Sequence, residues 1–97
     1  MIKIFQINGE RDINRHAFRP YNFIKEFDFS IYDKIWEGEV PSDYTLENIF
    51  DMFNLNHPND YNGHSLSVSD VVQVIELSNV EAGFYYCDSF GWRKLNI

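Results

Sequence analysis

One cysteine, five glycines, three prolines and eight basic residues stand among 97 positions, and each scarcity closes off a class of protein. A lone Cys87 cannot form an internal disulfide, so the core must hold the fold, which fits a reducing, cytoplasmic setting. No run of about 20 apolar residues occurs, which excludes a membrane-spanning helix. The opening MIKIFQING has neither a basic stretch nor a long apolar run, so no secretory leader is expected. Glycine-rich phosphate loops are missing. His16, His57, His64 and Cys87 are scattered, with none of the spacings that zinc uses. Asn54, Asn56, Asn59, Asp60 and Asn62 thicken one loop with oxygens, but the calcium-loop pattern is absent. No metal or other cofactor is expected.

What is plentiful is aromatic and acidic. Nine Phe, six Tyr and two Trp supply large rings for the core of one domain spanning residues 1–97. The net charge of −7 is unevenly spread. Residues 1–27 carry five bases and three acids, whereas residues 28–60 carry eight acids and only Lys34. An acidic middle repels phosphates, so no direct binding of nucleic acid is expected. It suits a basic protein partner. The candidate binding residues are Glu37, Glu39, Asp43, Glu47, Asp51 and Asp60, for which the plainer reading is a solvated acidic face. Glu37 and Glu39 flank Gly38 and read as a wet turn rather than an acid/base pair.

MIKIFQIN alternates, with Ile2, Ile4 and Gln6 on one side, and reads as a strand stopped by Asn8-Gly9. HAFRP suggests a short strand ending before Pro20. Tyr21, Ile24 and Phe27 fall at helical spacing, which predicts a short helix. IYDKIWE alternates as a second strand. The clearest helix is 45–54: Thr45 stands before Leu46 and three residues before Asn48, with Ser42 and Asp43 as rival caps, and Leu46, Ile49, Phe50 and Phe53 form one apolar stripe. His57-Pro58 stops it. DVVQVIEL is apolar on both faces, as an interior strand needs, and GFYYCDSF and WRKLNI return antiparallel to it. The expected fold is α+β: a small two-layer sandwich, mainly antiparallel, of about four or five strands with two helices on one face. Phe50 and Phe53 should pack on Val72, Val74 and the Phe84/Tyr86 side. Residues 1–7 or 92–97 are candidate edge strands, where a second copy could pair.

GHSLSVSDVV, residues 63–72, poses the functional question, since it holds a histidine, three serines and an aspartate. A Ser/His/Asp enzyme would use His64, Ser67, Asp70 and Asp88. Yet successive side chains of a strand oppose one another, so neighbours should not converge, and no G-x-S-x-G elbow is present. The structural reading places SVSD beside CDSFG at one end of a hairpin. With Leu77 near Gly83, Val72 falls opposite Asp88 and Asp70 opposite Phe90. Short polar side chains would then bond main-chain groups there. Gly63, Ser65, Ser67, Ser69, Asp70, Asp88, Ser89 and Gly91 are accordingly read as structural. Cys87, inside a strand, reads as packed rather than reactive.

The run from Arg11-Asp12 through IYDKIWEGEV, TLENIFDMFN, HPNDYNGHSLSVSDVV and GFYYCDSFGW resembles the YodL-like domain over nearly the whole chain. Gly63–Val72 and Asp88–Gly91 carry the most specific part of the likeness. The resemblance implies a small intracellular α+β module of bacterial mobile elements and phages, found alone or within large polyvalent proteins. It brings no established activity and therefore no catalytic residue. The expectation is a non-enzymatic interaction module that modulates host defence or element transfer through its acidic surface. The alternatives are a small hydrolase-like enzyme built on residues 64–70, or a weak nucleic-acid binder using Arg11, Arg15, Arg19, Arg93 and Lys94.

Overall fold

The computed structural model describes residues 1–97. Its frame is one antiparallel sheet of five strands in the order β2-β1-β3-β4-β5. The strands are β1 (Ile2–Ile7), β2 (Tyr32–Gly38), β3 (Val71–Val74), β4 (Gly83–Cys87) and β5 (Trp92–Leu95), and α1 (Leu46–Leu55) lies between β2 and β3 in the chain. No helix is long and apolar enough to cross a membrane.

The α+β expectation holds at this coarse level, but there is one helix rather than two, with two single 3-10 turns at Tyr21–Phe23 and Phe29–Ile31. The helix α1 forms where the sequence marks it. Thr45 Oγ1 accepts from the Asn48 amide and the Asn48 side chain accepts from the Thr45 amide, a reciprocal cap. Ile49 and Phe53 are buried. The expected helix over residues 21–27 collapses to one turn, and Ile24 is already extended. Rings win over helical spacing here. In a coil, Phe27 reaches Phe29, Tyr32 and Tyr86, contacts a short uncapped helix could not match.

The sheet is consequently covered on both faces. Ile2, Ile4, Trp36, Val72, Val74 and Tyr85 pack with Ile49 and Phe53 of α1. Val71, Tyr86, Leu95 and Tyr32 face the other way, under Ile24, Ile31 and the rings of the 21–31 coil. Helix, sheet and coil make three layers, not two. Phe53 does reach Val72 and Val74, but Phe84 and Tyr86 lie in the opposite core; Tyr85 is the β4 ring that meets the helix side.

That reversal comes from register. β3 and β4 do pair as a hairpin, but Val72 stands opposite Tyr85 and Val71 opposite Tyr86, not Val72 opposite Asp88. Asp70 pairs with Cys87 rather than Phe90: Cys87 N donates to Asp70 O at 2.8 Å and Ser69 N to Cys87 O at 2.9 Å. The ladder ends at Val74 opposite Gly83, so the hairpin tip is longer than the expected SNVEA turn; on its other side β3 continues one rung further, with Ile75 N donating to Met1 O at 3.0 Å. A three-residue slip is odd, so it swaps every β4 side chain between faces.

β1 is an interior strand, pairing with β2 on one side and β3 on the other; the edges are β2 and β5. A bulge sets Ile4 against Trp36 and Phe5 against Lys34, leaving Ile35 as the extra residue and ending the simple alternation of β2. HAFRP is no strand. It belongs to a turning loop in which Phe18, and Arg15 just before the stretch, take φ of 65° and 56°.

Candidate functional site

The serine-rich segment 61–69 is coil, and that changes what its side chains can meet. Ser69 has φ of 85°, and its turn folds the chain so that Ser67 N donates to Asp70 Oδ2 at 2.9 Å and Asp70 N to Ser67 O at 3.0 Å. Asp70 is 1% exposed. Gln6 of β1 aims its amide into the same pocket. Four polar atoms crowd its Nε2: Tyr61 Oη at 3.0 Å, His64 O at 2.9 Å, Asp70 Oδ2 at 3.1 Å and His64 Nδ1 at 3.2 Å. Tyr61 Oη donates to His64 O at 2.5 Å. Gly63 completes the closure, since a Cβ there would sit 2.5 Å from Gln6 Oε1 and 2.9 Å from Tyr61 Oη.

His64 and Asp70 do converge. His64 Nε2 lies 3.8 Å from Asp70 Oδ1. Burial raises the Asp70 carboxyl to about 7, opposed by the Ser67 amide, the His64 charge and Gln6. The serines, however, do not join the line. Ser65 is exposed. Ser67 Oγ is buried without a hydrogen-bond partner. Ser69 Oγ accepts from Phe18 N at 2.9 Å. The second imidazole nitrogen, Nδ1, is 2.7 Å from the Ser65 carbonyl. Both ring nitrogens thus face the protein, and no hydroxyl is placed for the imidazole to activate.

What the motif does hold is the loop of residues 12–21. Asp12 accepts from His16 N at 2.7 Å and Ala17 N at 2.9 Å. Ser69 takes the Phe18 amide, and Tyr32 Oη donates to Ser69 O at 2.6 Å. Tyr86 Oη donates to Arg19 O at 2.7 Å. Asp88 Oδ1 accepts from Tyr21 N at 3.2 Å and from Ser89 N at 2.9 Å. Asp88 N donates to Gly91 O at 3.0 Å, closing a turn that needs Gly91 at φ of 77°. The SVSD and CDSFG segments are thus the two ends of one brace, with the coil hung between them. Burial, with Asp70 and Asp88 nearby, pushes the Cys87 thiol up to about 12, and Cys87 is buried, which suits packing rather than reactivity.

All six acidic candidates are exposed, but they are not one patch. Glu37 pairs with Lys34 at 2.6 Å, which holds its carboxyl below the usual range. Glu39 lies 3.6 Å from the terminal amine, and Asp60 accepts from Trp36 Nε1 at 2.9 Å. Asp43 sits in the loop before α1. Glu47 and Asp51, one turn apart on α1, line a cleft of about 220 Å³ with Phe50, Asp88 and Trp92. Neither has a cationic partner. Nowhere do three His, Cys, Asp or Glu side chains converge as a metal ion requires.

Sequence reasoning passed over Gln6, Tyr61, Asp12, Phe18 and Tyr86 as functional partners. Gln6 was the legible one: a polar residue on the same strand face as Ile2 and Ile4 needs a buried partner. The family model described as the YodL-like domain matches residues 1–97, the whole chain. No curated protein and no solved structure matches.

Proposed function

The chain belongs to the YodL-like domain family, and from that premise we propose that it is a non-enzymatic, cytoplasmic interaction module of a bacterial mobile element or phage, which binds a basic protein partner. The observation that carries this reading is the acidic cleft between α1 and the β4–β5 turn. There Glu47 and Asp51 stand unpaired, with Asp88 among the lining residues. Such a cleft fits a Lys or Arg side chain, whose charged head meets the carboxylates while its methylene stem lies on Phe50 and Trp92.

The non-enzymatic half of the reading is supported by the orientation of His64, whose two nitrogens are turned to Asp70 and Ser65 O. Modulation of host defence or element transfer is the process such a module would serve. The test is capture of basic proteins from host lysate by the wild-type chain and by the Glu47→Gln/Asp51→Asn variant, over a salt series. The reading expects one basic species that is retained at low salt, released as salt rises, and lost in the variant. Equal retention by both chains would remove the acidic cleft from the account.

A further inference from the structure

We propose that the loop surface built from residues 15–25, with Arg93 beside it, binds single-stranded nucleic acid. This surface lies on the coil-covered side of the sheet and is independent of the acidic cleft. It contains a cleft of about 530 Å³ lined by Asn14, His16, Arg19, Phe23, Lys25 and one carboxylate, Glu26. Phe18 is 63% exposed and Phe23 is 70% exposed, an unusual placement for rings in a chain whose other phenylalanines mostly serve the core. Arg93 reaches over from β5, its guanidinium 4.4 Å from the Tyr21 ring centroid. None of Arg15, Arg19, Lys25 or Arg93 forms an ion pair.

Bases and open rings alternating along one held segment match the chemistry of a single strand. Phosphates need scattered cations, and unpaired bases need flat faces to stack on. A duplex hides those faces. The loop is also fixed before any ligand arrives. Phe18 sits at φ of 65° and Arg15 at φ of 56°, conformations that bulky residues keep only when their surroundings impose them. The imposing groups are those of the brace: Ser69 on the Phe18 amide, Tyr86 on the Arg19 carbonyl, Asp88 on the Tyr21 amide. The most specific segments of the family likeness therefore serve to present this surface.

The net charge of −7 does not forbid it. The carboxylates of α1 lie across the sheet, in a molecule whose shortest extent is 21 Å. At physiological ionic strength charges are screened over about 8 Å. The ligand meets mainly the local field.

The experiment is fluorescence anisotropy of a labelled oligothymidylate with the full chain at low salt, with a duplex of equal length and inorganic polyphosphate as competitors. The expected result is binding that weakens as salt rises and that the single strand competes best. Arg19→Ala/Lys25→Ala should abolish it. Phe23→Ala should weaken it roughly five- to hundredfold, the range that one base stacked on an aromatic ring contributes, with the salt slope unchanged. Both variants alter exposed side chains, and an unmoved Tm would confirm that they fold. Glu47→Gln/Asp51→Asn should leave binding intact, which separates this surface from the acidic cleft. Absence of binding at low salt overturns the proposal. So does binding that polyphosphate competes equally well and that ignores Phe23→Ala.

Discussion

The two faces of the sheet are built by different means. On one, a capped helix lays Ile49 and Phe53 against Ile2, Ile4, Val72 and Val74. On the other, a coil with only two 3-10 turns lays rings against Val71 and Tyr86. The helix satisfies its own backbone. The loop that leads into the coil does so only in part: Arg15 N and Arg19 N bond within it, while amides and carbonyls of residues 16–21 go to Asp12, Ser69, Tyr86 and Asp88. Backbone groups left over by such turns demand polar side chains. That is why a serine- and aspartate-rich motif lies at the end of this sheet.

The contrast can be broken from the helix side first. Phe53 is 0% exposed and meets the rings of Trp36 at 5.0 Å and Tyr61 at 4.9 Å. Phe53→Ala should cost about 3–5 kcal/mol, read as a lowered urea midpoint with an unchanged slope. Phe27, half-buried in the coil, should cost clearly less. Equal losses would mean that the two faces are packed alike.

The next effect lies at Asp70, where helix-side and coil-side elements meet. Asp70→Ala leaves Ser67 N without its acceptor, a loss of about 1–3 kcal/mol for the buried group left unpaired, while Gln6 Nε2 keeps Tyr61 Oη and His64 O. Asp70→Asn keeps an acceptor and removes the charge. Burial holds the Asp70 proton up to about 7 in the folded chain, whereas an unfolded aspartate releases it near about 4. The folded state binds the extra proton between those values. Its contribution to stability is therefore full below about pH 4 and is lost as pH rises through about 7. Thermal melts should show the wild type losing Tm relative to Asp70→Asn between pH 5 and pH 8. Parallel curves would contradict a strained, buried carboxylate.

The smallest effect is Thr45→Ala, which removes the reciprocal cap of α1 and should cost about 1 kcal/mol. The coil's own cap, Asp28 accepting from Ser30 N, is untouched by this change, so the loss should be confined to the helix, visible as fraying of the Glu47 and Asn48 amides.

How much of this was legible depended on whether the signal was local. Thr45 and Asn48 announce the helix, and the Ile2-Ile4-Gln6 alternation announces β1, because caps and strand parity are short-range properties. The family likeness was legible as well, since the YodL-like domain model matches residues 1–97. The hairpin was legible too, but its register was not, since the ladder closes at Val74 and Gly83 and the tip is longer than the polar SNVEA stretch that marks it in the sequence. The coil over residues 21–31 read as a helix because Tyr21, Ile24 and Phe27 do share a side. Only the sheet beneath, with Tyr32, Phe84 and Tyr86 waiting, makes an extended chain the better cover. The approach of His64 to Asp70 is not legible from strand parity, because the left-handed turn at Ser69 takes the segment out of the rule for regular strands. The acidic candidates were correctly placed on the surface, but their division between ion pairs and one open cleft needed the third dimension.

Ser69→Ala probes the brace most directly. It deletes the acceptor of the Phe18 amide and leaves the sheet, α1 and Asp70 in place. Amide hydrogen exchange should accelerate at Phe18 and its neighbours in residues 16–21, while the amides of α1 and of β1 keep their wild-type rates. Unchanged exchange at Phe18, or a rise spread evenly over the whole molecule, would mean that the serine does not hold the loop.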